Sequence, residues 1–149
     1  MLNLVIDEVR KIYFQECGRK INDEKLMILL YFIQRNYYAQ YRKLLFKDNF
    51  LFVKNEVMIQ KTLEDERSLL DGHMQYSILN TIRLYSIYET WYLFELAKKD
   101  ESFYIAYKNQ DIINYESFKV DAEKVRVYDA LYDCYLDELD DFEEFGYEN

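Results

Sequence analysis

The sequence predicts a mainly α domain with at most a small β element. Three observations carry this: apolar residues recur at helical spacing over most of the chain, proline is absent, and only three glycines occur, Gly18, Gly72 and Gly146. At 149 residues, half of them apolar and 18% aromatic, the chain can bury about 68–70% of the surface its unfolded form exposes. No shift in composition and no Pro-, Gly- or Ser-rich stretch marks a linker, so residues 1–149 read as one domain.

Taken in order, Leu4, Val5, Val9, Ile12 and Tyr13 fall at spacings of three and four and predict a first helix, which Gly18 would close. Asn22 is the N-cap candidate for a second helix, with Asp23 and Glu24 in its first turn and Leu26, Leu29, Leu30, Ile33, Tyr37 and Tyr41 on its apolar face. This should be the central helix. Asp48 and Asn49 supply a turn, and Phe46 with Phe50 to Val53 suggests a short hairpin or extended stretch near residues 46–57. Helical periodicity resumes from Val57 to Leu70, breaks at Asp71-Gly72-His73, and runs again from Ser77 to Lys99, where Trp91 is expected in the core among Leu84, Tyr88 and Tyr92. A short helix over Phe103 to Tyr107 and a connection at Ile112 and Ile113 follow. Ser117 or Asp121 would cap a last helix beginning near Ala122.

The net charge of −9 is concentrated at one end. Nine acids and no lysine or arginine occur from Val127 to Asn149, so the first 126 residues hold 19 acids against 19 bases. On a helix from Val127 to Phe145, Tyr128, Leu131, Tyr132, Tyr135, Leu139 and Phe142 share one face. Asp129, Asp133, Asp137, Asp140, Asp141 and Glu144 share another, and these six are the candidate partner-binding residues. The ridge could simply be the solvated side of a docked helix. The alternative is that it meets a basic protein surface, and acids near a helix's C-terminal end oppose its dipole and repel one another, which a purely structural helix has little reason to carry. Direct nucleic-acid binding is disfavoured, because it rests on Lys and Arg neutralising phosphates. The nearest basic aromatic patch, Tyr31, Tyr37, Tyr38 and Tyr41 with Arg35, Arg42 and Lys43, has the spacing of packing residues.

Catalytic signatures are missing from the sequence. It has one histidine, His73, and no phosphate-binding glycine loop, GxSxG elbow, HExxH or calcium loop. Glu64, Asp65 and Glu66 read as a solvated helix face, so no metal site and no cofactor is expected. Cys17 and Cys134 form no ligand or disulfide spacing and suit a reducing cytoplasm. The opening apolar run is broken by Asp7, Glu8, Arg10 and Lys11, which suits neither a signal peptide nor a membrane span.

Three stretches, in order, resemble the Panacea domain, a family of antitoxins that neutralise toxins encoded beside them. Lys25 to Tyr38 with Leu45-Phe46 is similar to the family's KLQKLLYFAQ-type helix and PLF turn. Phe52-Val53-Lys54-Asn55-Glu56-Val57 resembles its WKYGPV segment, with Asn55-Glu56 where Gly-Pro is typical. Leu96 to Tyr107 is similar to LTHKEDPWKKAY, with Ala97-Lys98 in place of Thr-His and Ser102-Phe103 in place of Pro-Trp. The likeness spans residues 20–122, leaving 123–149 as an acidic, aromatic extension. It implies a mostly helical, non-enzymatic protein that blocks a toxin by direct contact. Two other functions fit the same residues: a phage or mobile-element inhibitor of a host defence nuclease, with acids standing in for phosphates, or a phage assembly scaffold.

Overall fold

The computed structural model describes residues 1–62 and 69–130, which form six helices and one two-stranded antiparallel hairpin. The mainly α prediction with a small β element holds. Helix α1 (Leu2–Cys17) buries Leu2, Val5, Val9, Ile12 and Tyr13, and ends as expected on Gly18, whose φ of 74° is left-handed and whose N–H donates to the Phe14 carbonyl. Helix α2 (Asp23–Tyr41) starts on Asn22, whose side chain accepts from the Lys25 N–H at 2.8 Å. α2 contacts α1, the helices described below and the hairpin, so almost every residue from Lys25 to Tyr37 is buried.

Strands β1 (Asn49–Val53) and β2 (Glu56–Gln60) pair with Phe52 opposite Val57 and Val53 opposite Glu56. The turn between them, Lys54-Asn55, has positive φ at both positions, the geometry whose twist matches a hairpin. Asn tolerates that region better than other residues with a side chain, and the Asn55 N–H is fixed by Gln110 Oε1 at 2.7 Å. The helix expected from Val57 is corrected here: Val57 to Gln60 is strand, because the primed turn brings it back along the buried Phe50 and Phe52. The stretch holding Glu64, Asp65 and Glu66 lies outside the described residues.

Helix α3 (Gly72–Tyr85) is capped by Asp71, and α4 (Thr90–Ala97) follows after a bend at Ser86–Glu89. A single helix across Ser77 to Lys99 is therefore corrected to two. Neither Gly nor Pro marks the break; Glu89 simply takes an extended conformation as the N-cap of α4. Helix α5 (Glu101–Asn109) and α6 (Tyr115–Glu123) complete the core. The expected final helix from Ala122 is also corrected. Asn114 caps α6, which ends at Glu123, and no helix covers Val125 to Asp129. Asp121 does cap a helix, but across space: its carboxylate accepts from the Ser102 N–H at the start of α5.

Burying α2 on all sides buries its polar residues too, and each must then find partners. Gln34 donates to the Phe46 carbonyl and the Tyr115 hydroxyl and accepts from the Leu45 N–H, which pins the turn after α2. Arg35 donates to Asp100 at 3.2 Å and to the Tyr85 hydroxyl at 3.0 Å, with its guanidinium 4.7 Å from the Phe32 ring. Tyr31 donates to the same Asp100 oxygen at 2.6 Å while its ring meets Phe50, Phe103 and Phe118 edge-on.

These contacts give an alkaline limit to stability. Burial pushes the Tyr31 phenol well above its ordinary value, helped by the Asp100 charge, and burial likewise raises Tyr115. Unfolded phenols release their protons near pH 10, while these two retain them, so above that pH the native state holds more protons than the unfolded one. Their contribution is full below about pH 10 and is lost as pH rises beyond it, by about 1.4 kcal/mol per unit for each phenol. Urea midpoints should stay level up to about pH 9.5 and then fall, and Tyr115→Phe should make that fall shallower.

Candidate functional site

Four large side chains crowd the α3–α4 elbow and the first turn of α4 without entering the core: Ile87, Tyr88, Trp91 and Tyr92. Trp91 is 66% exposed. The Tyr88 and Tyr92 rings lie 5.0 Å apart, and Trp91 meets Tyr92 edge-on at 5.8 Å, so three aromatic rings make one surface. The expectation that Trp91 belongs to the core is corrected by this placement. Because α4 restarts at Thr90, its phase is set by Leu93 and Ala97, which are fully buried, and Trp91 falls on the opposite side.

A groove of about 250 Å³ opens between α2, β2 and α4. Met27, Ile28, Val57 and Phe94 line it, with Asp23, Glu24 and Glu56 also at its walls. Thr90 and Phe94 of α4 both border it, which places Trp91 between two groove residues in sequence. An apolar trough with carboxylates, flanked by an exposed tryptophan, is suited to taking an apolar side chain that arrives with positive charge around it.

Of the six acids expected to contact a partner, Asp129 is exposed at the start of the acidic stretch, and Asp133, Asp137, Asp140, Asp141 and Glu144 lie outside the described residues. Asp129 is held by its neighbours. Asn80, buried on α3, donates to the Tyr128 carbonyl at 2.7 Å and accepts from the Ala130 N–H, so one side-chain amide grips the backbone on both sides of it. Asn80 thus fixes the backbone from Tyr128 to Ala130 against α3, a role that sequence reasoning missed; the only signal was an amide on the buried face of a helix.

His73 is exposed in the first turn of α3, its ring 5.0 Å from that of Tyr41. The basic aromatic patch is not assembled: Tyr31, Tyr37 and Arg35 are buried, Tyr38 and Tyr41 are half-buried, and Arg42 and Lys43 are exposed. Among the described residues no group of three His, Cys, Asp or Glu side chains is placed to hold a metal. No described helix is long and apolar enough to cross a membrane. Compared with family models, curated proteins and solved structures, the chain matches none.

Proposed function

We propose that this protein is a non-catalytic cytoplasmic inhibitor, the antitoxin of a toxin–antitoxin pair, that neutralises its partner by direct contact. The observation that carries the reading is the exposed Trp91 surface beside the acid-lined groove, since tryptophan and tyrosine dominate the energetics of protein interfaces. The resemblance to Panacea antitoxins adds support through packing. Its three stretches meet in one place, where Tyr31 of the first touches Asp100 and Phe103 of the third, and Phe103 touches Phe52 of the second. The nine acids after Val127 suit a partner with a basic surface, and would suit a host defence nuclease as well as a toxin.

Co-expression tests the proposal. A small frame encoded beside this gene should arrest growth when expressed alone and lose that effect when this chain is made with it. Rescue that fails although both proteins are soluble overturns the antitoxin reading. The acidic stretch would act chiefly on encounter. Replacing Asp133, Asp137, Asp140, Asp141 and Glu144 with Asn or Gln should leave the melting curve unchanged and slow association about tenfold at low salt. The difference should close at high salt, where charges beyond roughly 3 Å are screened, and stopped-flow association rates at two ionic strengths check it. Equal salt slopes for both proteins would remove the acids from the mechanism.

A further inference from the structure

A second concavity adjoins the elbow surface, with which it shares Ile87 and Tyr88. It has a volume of about 540 Å³, within the usual range for small-ligand sites, and is bounded by the end of α1, the link to α2 and the α3–α4 bend. Its charge is opposite to that of the whole chain: Arg19, Lys20, Lys25 and Arg83 line it against Glu16 and Glu89, in a protein of net charge −9. Glu16 is taken by Arg83 at 2.7 Å. Arg19, Lys20 and Lys25 have no carboxylate partner among the described residues.

Lys25 is the decisive residue. It is only 7% exposed, yet its ammonium makes a single hydrogen bond, to the Ser86 carbonyl at 2.7 Å, and otherwise lies 5.6 Å from the Tyr13 ring. That carbonyl belongs to the end of α3 and favours a cation, but it satisfies one N–H of three and supplies no counter-ion. A buried charge without an opposite charge is costly, and here it borders a polar cleft in which two further cations stand unpaired. Tyr88 and Ile87, both exposed, line the same cleft, with Asn22, Thr90 and Glu89 as polar neighbours. The complementary ligand has a multiply charged anion at one end and a flat ring at the other.

We infer that this cleft binds a nucleoside phosphate, with its phosphate on Lys25, Arg19 and Lys20 and its base on Tyr88. The inference does not rest on the antitoxin reading: it concerns a different ligand class, although Ile87 and Tyr88 of the elbow surface border this cleft and Thr90 borders both cavities. Calorimetric titration of the full chain with AMP and ADP tests it, with inorganic pyrophosphate and adenosine as the separate halves. AMP or ADP should bind, and more tightly than either half. Arg19→Gln with Lys20→Gln should weaken binding about tenfold or more, and Tyr88→Ala should weaken the nucleotides while leaving pyrophosphate unchanged. Lys25→Gln should abolish binding; if it does not fold, the exposed Arg19, Lys20 and Tyr88 variants still decide the matter. The inference is overturned if AMP, ADP, GMP and CMP all fail to bind at millimolar concentration, or if binding is indifferent to the Arg19 and Lys20 changes. It is overturned equally if AMP binds only after Asp133, Asp137, Asp140 and Asp141 are replaced by Asn, because the cleft would then belong to the chain's own acidic segment.

Discussion

Asp100→Ala should destabilise the protein by about 3 kcal/mol, the low end of the cost of removing one member of a buried ion pair, since the Asp100 carboxylate is part-buried. The size follows from what the carboxylate holds. One oxygen accepts both from Tyr31 at 2.6 Å and from Arg35 at 3.2 Å, so α2 is tied to the start of α5 at two points. Removing it leaves Arg35, only 8% exposed, to the Tyr85 hydroxyl and Asn36, and leaves the fully buried Tyr31 hydroxyl without an acceptor. Asp100 is the N-cap residue of α5 but makes no side-chain capping bond there, so the loss is tertiary and not a capping effect. The melting temperature should fall by roughly 10 °C, and the urea midpoint should drop with little change in slope. Combining Asp100→Ala with Tyr31→Phe should cost less than the sum of the two, because both remove the same hydrogen bond. Additive losses would show that the Arg35 contact carries the stability alone.

The sequence shows most of what depends on local pattern. Gly18 and Asn22 mark the ends of α1 and α2 because a left-handed cap and an N-cap oxygen are strong single-residue signals. The burial of α2 is legible in its unbroken apolar run. The first strand of the hairpin is legible in the sequence and the second only in part, since Glu56 to Gln60 alternates too weakly to outweigh the helical pattern that follows it. The bend at Ser86–Glu89 has no local marker, and everything on α4 therefore carried the wrong phase. Asp121 and Asp100 show a related limit: Asp121 is a cap candidate by sequence and Asp100 stands at the N-cap of α5, yet both spend their carboxylates on other elements. No spacing rule reveals that.

The same change of phase decides where Trp91 lies. On one continuous helix from Ser77 to Lys99, Trp91 joins the apolar residues and reads as core. With α4 restarted at Thr90, Leu93 and Ala97 take the buried positions and Trp91 is turned out to solvent. The groove itself draws Met27, Ile28, Val57 and Phe94 from three elements far apart in the chain, so its existence is a tertiary fact.

Trp91→Ala is the variant expected to separate binding from folding most sharply. If Trp91 were core, its truncation would cost about 3–5 kcal/mol. At 66% exposed it should instead leave stability within about 0.5 kcal/mol of the unaltered protein, the usual range for a surface change. Its ring touches Tyr92 edge-on, and that contact lies on the surface and not in the core. Affinity for the partner should fall by at least about 2 kcal/mol, some 30-fold, as for other tryptophan anchors. Most of the loss should appear as faster dissociation, because a side chain acting in the docked state has little effect on diffusional encounter. This contrasts with the acidic stretch, whose neutralisation is expected to slow association and leave dissociation nearly unchanged. Phe103→Ala is the matching core variant: Phe103 is fully buried against Tyr31, Phe52 and Phe94, and its loss should lower stability by about 3–5 kcal/mol. Its residual affinity, measured well below its melting temperature, should be close to normal. Surface plasmon resonance and thermal melts on the two variants would show opposite patterns. A Trp91→Ala protein that melts early but binds its partner normally would move the anchor away from the elbow and return Trp91 to a packing role.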